Sequence, residues 1–398
     1  MPIETQVNAV HVSLSKGIDV DKIEKELASM WSDASGAGGT TGSGVTRACT
    51  LNLIVYTTPA DNRAQLDEML DLIGEQHPGR ILILIADREA NEPKLEAYVS
   101  TRCRLLGATG KQVCAEQVTI ETAGPLVETA ATAVEPLLVP DVPVFLWWKD
   151  IPHYENELFD RMAQLADRIV IDSAAFDHPH EDLLHLARMI RNNRRAVRVS
   201  DLNWGRLTSW RTLLASFWDV TDYRPLLDAV DRFEVSYDPP NAAPNEVAPK
   251  ALLLSGWLSA RLGWKVVGTA VRENGVINCD LRSGERGIVL SLRRDETGEL
   301  KDGMVSSVTL SAKKGEADFY VALRAGGTKL ETEARVGTEH SVGRVLGYEM
   351  RSEAARLSRE LAFLTRDSVY EEAVAQAAQL VDAIRVHVSN PSMSDGSN

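Results

Sequence analysis

Basic residues are the scarcer charge in this 398-residue chain: 43 Lys and Arg stand against 57 Asp and Glu, for a formal net charge of −14. That balance removes the basic footprint that nonspecific nucleic-acid binding needs, and it disfavours adsorption on anionic lipid. Cysteine is also scarce, with only Cys49, Cys103, Cys114 and Cys279, and no two of them form CxxC. Zinc-ribbon and thioredoxin-like readings therefore lose their signature, and the thiols read as buried side chains of a reducing compartment. Cys103 and Cys114 fall on segments that read as neighbouring strands, which leaves a redox pair as the alternative. Long hydrophobic runs are missing: the longest aliphatic stretch is ILILIA at 81–86, too short to span a bilayer. The opening MPIETQVNAVHVSLSKG has neither the basic start nor the continuous apolar core of a secretory signal. The expected location is cytoplasmic.

Motifs for common chemistries are missing as well. SGAGGTTGSG at 35–44 follows a helical pattern and precedes a strand, the reverse of a dinucleotide loop, and reads as a flexible linker. GATGKQ at 107–112 lacks the first glycine and the final Ser or Thr of a phosphate loop, and reads as a hairpin turn. LLLSG at 252–256 lacks the first glycine of a nucleophile elbow, and there is no HExxH. DHPHEDLLH at 177–185 gathers histidines and acids, but His180 and His185 are five apart, off the spacing that aligns ligands on one helical face. It reads as an acidic helix start with Pro179 in the first turn. The basic run RMIRNNRRAVR at 188–198 reads as the solvated end of that helix, with reception of a phosphate or an acidic surface as the alternative. No catalytic residue, metal site or cofactor is assigned.

The chain does hold the material of a two-domain globular protein: 44% hydrophobic and 25% charged residues. An amphipathic helix is expected over 19–31. From residue 46, apolar strands (CTLNLIVY, RILILIA, VPVFLWW, RIVID) alternate with helical patterns at 63–75, 126–138 and 158–166. Strands alternating with helices predict an α/β domain, a doubly wound and mostly parallel sheet. After residue 173, helices are expected at 182–192, 204–219 and 246–262 and a strand at 232–237. Six alternating segments follow between 264 and 336, with Asn274-Gly275 and Gly326-Gly327 as tight turns. These predict an α+β domain with an antiparallel meander backed by helices. Helices at 344–363 and 368–388 close the chain. The expected division is 1–45 (helix and linker), 46–173 (α/β), 174–343 (α+β), 344–388 (C-terminal helices) and 389–398 (disordered tail).

Tryptophans are the conspicuous presence. VPDVPVFLWWKD at 139–150 ends a proline-bracketed apolar strand on Trp147 and Trp148, which on a strand face opposite sides. DLNWGRLTSW at 201–210 places Trp204 and Trp210 around Arg206, followed by Arg211, with Asp201 or Asn203 as the helix cap. Core packing and partner contact both remain open for them, because Trp and Arg dominate protein–protein hot spots.

The blocks LLVPDVPVFLWWKD, LFDRMAQLADRIVIDSAAF, DLNWGRLTSWRTLLASFWD and ALLLSGWLSARLGW, in this order and spacing, resemble the signature blocks of the glucose-6-phosphate dehydrogenase assembly protein OpcA family. The resemblance runs from about residue 46 to the C-terminal helices. It implies a non-catalytic assembly factor and allosteric activator that binds glucose-6-phosphate dehydrogenase and promotes its active oligomer. The implied pathway is the oxidative pentose phosphate route, which makes NADPH. The residues expected to form or support the partner surface are Trp147, Trp148, Asp201, Asn203, Trp204, Arg206, Trp210 and Arg211. The alternative expectation is an enzyme or sensor that binds a sugar phosphate or nucleotide at the strand ends of the α/β domain.

Overall fold

The computed structural model describes residues 4–10, 19–36, 45–47, 49–106, 111–153, 156–192, 197–295, 302–324, 327–348 and 352–388. The chain forms two compact units, each assembled from separated segments. One comprises Met1–Ile171, Asn193–Ser200 and Arg351–Arg366; the other comprises Asp172–Asn192, Asp201–Met350 and Asp367–Asn398.

In chain order, the elements begin with β1 (Glu4–Val10), α1 (Val20–Gly36), β2 (Val45–Arg47), β3 (Asn52–Thr57), α2 (Arg63–Gln76) and β4 (Arg80–Asp87). They continue with β5 (Lys94–Leu106), β6 (Lys111–Ala123), α3 (Ala130–Val134), β7 (Val144–Trp148), α4 (Glu157–Leu165) and β8 (Arg168–Ile171). Next come α5 (Pro179–Arg191), β9 (Arg198–Asp201), α6 (Leu202–Arg206), α7 (Thr208–Ser216), α8 (Arg224–Leu227), β10 (Val230–Tyr237) and α9 (Pro249–Arg261). Then follow β11 (Lys265–Glu273), β12 (Val276–Ser283), β13 (Arg286–Arg294), β14 (Val305–Ala312), β15 (Ala317–Arg324), β16 (Lys329–Val336) and β17 (Glu339–Gly347). The last helices are α10 (Glu353–Leu361) and α11 (Ser368–Val388).

The first sheet has the order β1-β5-β6-β4-β3-β7-β8-β9, with β2 also on β6. Strands β6, β4, β3, β7 and β8 run parallel, while β5 folds back antiparallel on β6 and β1 on β5. The central strands are buried on both faces, which is why NLIVYT, RILIL and VFLWW read as continuous apolar runs without alternation. Asn62 caps α2 by accepting from Gln65 N–H, and Asn156 caps α4 by accepting from Phe159 N–H. At the start of β4 the buried Arg80 pairs with Glu116 at 2.7 Å and with Glu24 of α1, so α1 is tied by charge as well as by buried Ile23, Leu27 and Met30. Helix α10 belongs to this unit: His77 Nε2 lies 2.8 Å from Ser358 Oγ, which donates to Gln76 Oε1 at 2.6 Å.

The second sheet has eight strands in the order β11-β12-β13-β10-β14-β15-β16-β17. All six predicted segments form strands, but β10 inserts between β13 and β14, parallel to the first and antiparallel to the second. The meander is thereby split in two. The central position covers Phe233, Val235 and Tyr237 of β10 completely. The Asn274-Gly275 turn forms as expected, both residues with positive φ (50° and 78°). One face of this sheet packs on α9 and α11. Gly256 of α9 makes that approach possible, since a Cβ there would lie 2.3 Å from Ala373 O of α11.

Several expected boundaries move. The helix expected at 344–363 is strand β17 followed by α10. Thr332 Oγ1 of β16 accepts from Arg344 N–H at 2.7 Å, and the strand bulges at Gly343, where a Cβ would clash with that hydroxyl at 2.3 Å. The helix expected at 126–138 is broken at Pro125 and Pro136 into a short α3 between 3₁₀ turns. The expected 204–219 helix divides into α6 and α7 around Leu207. Strands β1, β2 and β9 are not among the expected ones. The closing helices, expected as one segment, divide between the units. The 35–44 linker falls outside the described residues except for Ser35 and Gly36, which end α1, and the 389–398 tail lies outside them entirely. The tips expected at 107–110 and at Gly326 also lie outside them, though the strands flanking each pair antiparallel.

Candidate functional site

In the first unit the chain reverses its winding between β3 and β7, the place where an open α/β sheet offers its crevice at the strand ends. At that end the chain's own charged groups pair with one another. Asp61, just ahead of the α2 N-terminus where a phosphate would sit, accepts from Thr57 Oγ1 at 2.6 Å, Thr58 N at 3.1 Å and Lys149 Nζ at 3.0 Å. Burial opposes ionisation of Asp61, but the hydrogen bonds from Thr57, Lys149 and Thr58 outweigh it and hold its pKa below the ordinary value. Lys149 Nζ also lies 5.4 Å from the centre of the Trp147 ring. Trp148 stacks on Tyr56 with centroids 3.7 Å apart and meets Phe159 of α4 edge-on at 5.0 Å. Its indole N–H donates to Ile151 O at 3.3 Å. Both Trp147 and Trp148 are therefore interior residues: on a central strand with layers on either side, both faces find cover.

The second unit holds the other predicted residues in one cluster. Asp201 ends β9 and caps α6, accepting from Asn203 N–H at 2.8 Å. Its carboxylate also accepts from Ser173 N at 3.0 Å, Ser173 Oγ at 2.6 Å and Tyr370 OH at 3.3 Å. Asn203 Nδ2 donates to Ser173 Oγ at 3.0 Å. Asp201, Ser173, Asn203 and Tyr370 are all buried. Burial first, then the negative charge of Asp172, pushes the Asp201 carboxyl up to about 6 against the hydrogen bonds from Ser173 and Asn203. The Ser173 hydroxyl donates to the Asp201 carboxylate, so the buried group pins the start of α6 to the turn after β8.

Around the pin sit the aromatic and basic groups. Trp204 Nε1 donates to Asp367 Oδ2 at 2.9 Å, its ring lies 5.7 Å from that of Tyr370, and the Arg211 guanidinium covers it at 3.5 Å. Arg206 forms a two-pronged pair with Asp172, at 2.5 and 2.7 Å. Trp204 and Trp210 are buried, whereas Arg206 and Arg211 keep partial exposure. The eight predicted residues thus separate into interior groups and two partly exposed arginines. Sequence reasoning missed Asp172, Ser173, Asp367 and Tyr370. Asp367 and Tyr370 are some 165 residues away along the chain, and only the docking of α11 brings them in.

The remaining sequence candidates are placed as follows. Pro179 opens α5 as expected. His180 Nε2 accepts from Val247 N–H at 2.9 Å and burial lowers its pKa, so it is a neutral core acceptor. The basic run supplies Arg188 and Arg191 to the last turn of α5, and its residues 193–196 lie outside the described ones. Cys103 and Cys114 occupy directly opposed positions of β5 and β6. Cys279 is buried, and that burial pushes its thiol up to about 12. No helix among the described residues is long and apolar enough to cross a membrane.

Comparison with known proteins adds the following. Two solved structures align with the chain at low similarity: an NAD binding oxidoreductase from Klebsiella pneumoniae (TM-score 0.48, 13% identity, covering 86% of this chain and 97% of that one) and myo-inositol dehydrogenase from Lactobacillus casei (TM-score 0.45, 11% identity, 88% and 98%). Among curated sequences, the putative OxPP cycle protein OpcA of Nostoc punctiforme is 28% identical over 320 residues, 78% of this chain and 66% of that protein. The protein of the same name from Synechocystis is 27% identical over 315 residues, 77% and 64%. The matched region thus spans slightly less than two thirds of these relatives' own length. Residues 71–188 match the family described as the glucose-6-phosphate dehydrogenase subunit N-terminal domain, and residues 197–374 match its C-terminal domain. With both halves matched in order along most of its length, the chain belongs to the OpcA family.

Proposed function

We propose that this chain is a non-catalytic partner of glucose-6-phosphate dehydrogenase that favours the enzyme's active oligomer and raises its activity. The observation that carries the reading is the paired match, at 71–188 and 197–374, to the two domains described as a subunit of that dehydrogenase. At the strand ends of the first sheet Lys149 and Asp61 are paired with each other at 3.0 Å, so neither charge is held out for a phosphate, in keeping with the non-catalytic reading. No observation favours the alternative of an enzyme acting there.

An activator must bind the active state of its target more tightly than the inactive one, and a preference of about 1.4 kcal/mol shifts that equilibrium about tenfold. In the proposed site Arg206 and Arg211 face the dehydrogenase. Buried Asp201, Asn203, Trp204 and Trp210 hold those arginines in place, and Trp147 and Trp148 set the end of β7. The protein acts where its target is, in the cytoplasm. The test is titration of this chain into the dehydrogenase of the same organism, following NADPH formation at subsaturating glucose 6-phosphate. Saturable activation without turnover by the chain alone is expected. An unchanged rate together with no co-migration on size exclusion would sink the proposal.

A further inference from the structure

Helix α10 ends on a turn whose two ends are held by one buried side chain. Leu361, the last residue of the helix, is buried, and Ala362 closes it by donating its N–H to Arg359 O. The buried Arg168, at the start of β8, then reaches both sides of the turn. Its Nη1 lies 3.6 Å from Glu360 Oε2 in the last turn of α10, and its Nη2 donates to Thr365 O at 2.5 Å. Ser200 of β9 accepts from the same guanidinium. Residues 361–364 are therefore spanned by an interior guanidinium that holds the chain at 360 and at 365.

Between those two contacts Phe363 is 61% exposed and Leu364 39%. A single exposed leucine is ordinary on a globular protein, and a turn with no further task carries Gly, Pro, Asn, Asp or Ser. Here a phenylalanine and a leucine stand side by side in water, on a backbone fixed by buried charge. An aromatic ring on a fixed turn loses little freedom when a partner covers it, and that economy is what makes such a residue an interface anchor. Leu72 of α2, the other large apolar side chain exposed among the described residues of this unit, stands alone on its helix at 47%.

We propose that Phe363 and Leu364 are the apolar anchor of the partner surface and enter an apolar pocket on glucose-6-phosphate dehydrogenase that takes an aromatic ring. The inference deepens the proposed function and rests on it. Two observations tie the turn to that partner. Residues 363 and 364 lie inside the 197–374 stretch that matches the C-terminal domain of the dehydrogenase-subunit family. Chain continuity is the second: Asp367, three residues beyond Leu364, accepts the indole N–H of Trp204, whose ring Arg211 covers. Three Cα–Cα steps span at most about 11 Å, so the covalent chain tethers the anchor close to the residue that holds Trp204. An apolar centre with arginine near it is the composition that dominates interface energetics.

The test is isothermal titration calorimetry of the full chain into the dehydrogenase of the same organism. The variants are Phe363→Ala and the double change Phe363→Ala with Leu364→Ala, with Leu72→Ala as the control. All three alter exposed side chains, so circular dichroism and the urea midpoint should match the wild type. Phe363→Ala should raise the dissociation constant by about 30-fold or more, the double variant further, and Leu72→Ala by less than about twofold. The heat-capacity change of binding should become less negative in both turn variants, because less apolar surface is buried. A wild type that binds, with both turn variants binding as tightly, overturns this inference and leaves the proposed function standing. A wild type that does not bind the dehydrogenase overturns both. Turn variants that bind the dehydrogenase normally but no longer self-associate on size exclusion assign the turn to a second copy, and overturn the inference as well.

Discussion

The buried Asp201 makes a quantitative statement about pH. Its carboxyl is pushed up to about 6 by burial and by Asp172, whereas in the unfolded chain it ionises near about 3.9. A raised folded-state value means that the folded protein holds this proton more tightly than the unfolded one. The contribution to stability is complete below about pH 4 and is lost as pH rises toward about 6. About two units separate the two values, so full ionisation costs the fold about 3 kcal/mol. Between pH 5 and pH 7.5 the loss is on the order of 1 kcal/mol. Asp201→Asn removes the titration. It also turns two donor hydrogens toward Ser173, Asn203 and Tyr370, all of which already donate, so the variant is less stable at every pH. The informative quantity is therefore the difference between wild type and Asp201→Asn in urea unfolding free energy, measured from pH 5 to pH 7.5. That difference should shrink by roughly 1 kcal/mol as pH rises, because only the wild type is losing stability at this site. A difference that stays constant with pH would falsify the assignment and show that the hydrogen bonds to the carboxylate fully offset its burial.

Other outcomes follow from the same geometry. Gly256→Ala drives a Cβ into Ala373 O and should cost about 1–3 kcal/mol in urea unfolding; an unchanged midpoint would mean that α9 and α11 are less tightly apposed than their backbones indicate. Arg206→Ala and Arg211→Ala change partly exposed groups, so both should fold. Each should raise the concentration for half-maximal activation of glucose-6-phosphate dehydrogenase at least about tenfold, and normal activation by both would remove them from the proposed surface. Cys279, with its thiol near 12, should resist iodoacetamide at pH 8 in the native protein and react once unfolded; native modification detected by mass spectrometry would contradict its burial.

The legible parts of this chain were those with local causes. Asn274-Gly275 names its own hairpin, Pro179 and Asp201 mark helix starts, and RILILIA reads as a doubly covered strand because nothing in it is built for water. Periodicity failed where tertiary pairing overruled it. RVLG at 344–347 looks helical in isolation, yet Thr332 on the neighbouring strand engages its backbone and draws it into the sheet. The site divided in the same way. Trp204, Arg206 and Arg211 stand out by composition and proximity, whereas Asp367 and Tyr370, which meet Trp204, come from more than 160 residues further along the chain.

Sequence alone determined the class of the two sheets, the lack of a phosphate loop or catalytic elbow, and the blocks that mark the OpcA family, because each is written in contiguous residues. Tertiary structure alone decided the central place of β10, the division of the last two helices between the units, and the burial of all four tryptophans once in question. These depend on which surfaces remain uncovered after the local elements form. The energy of covering them is settled largely by partners tens to more than a hundred residues away, and no short window of the chain contains both sides of such a contact.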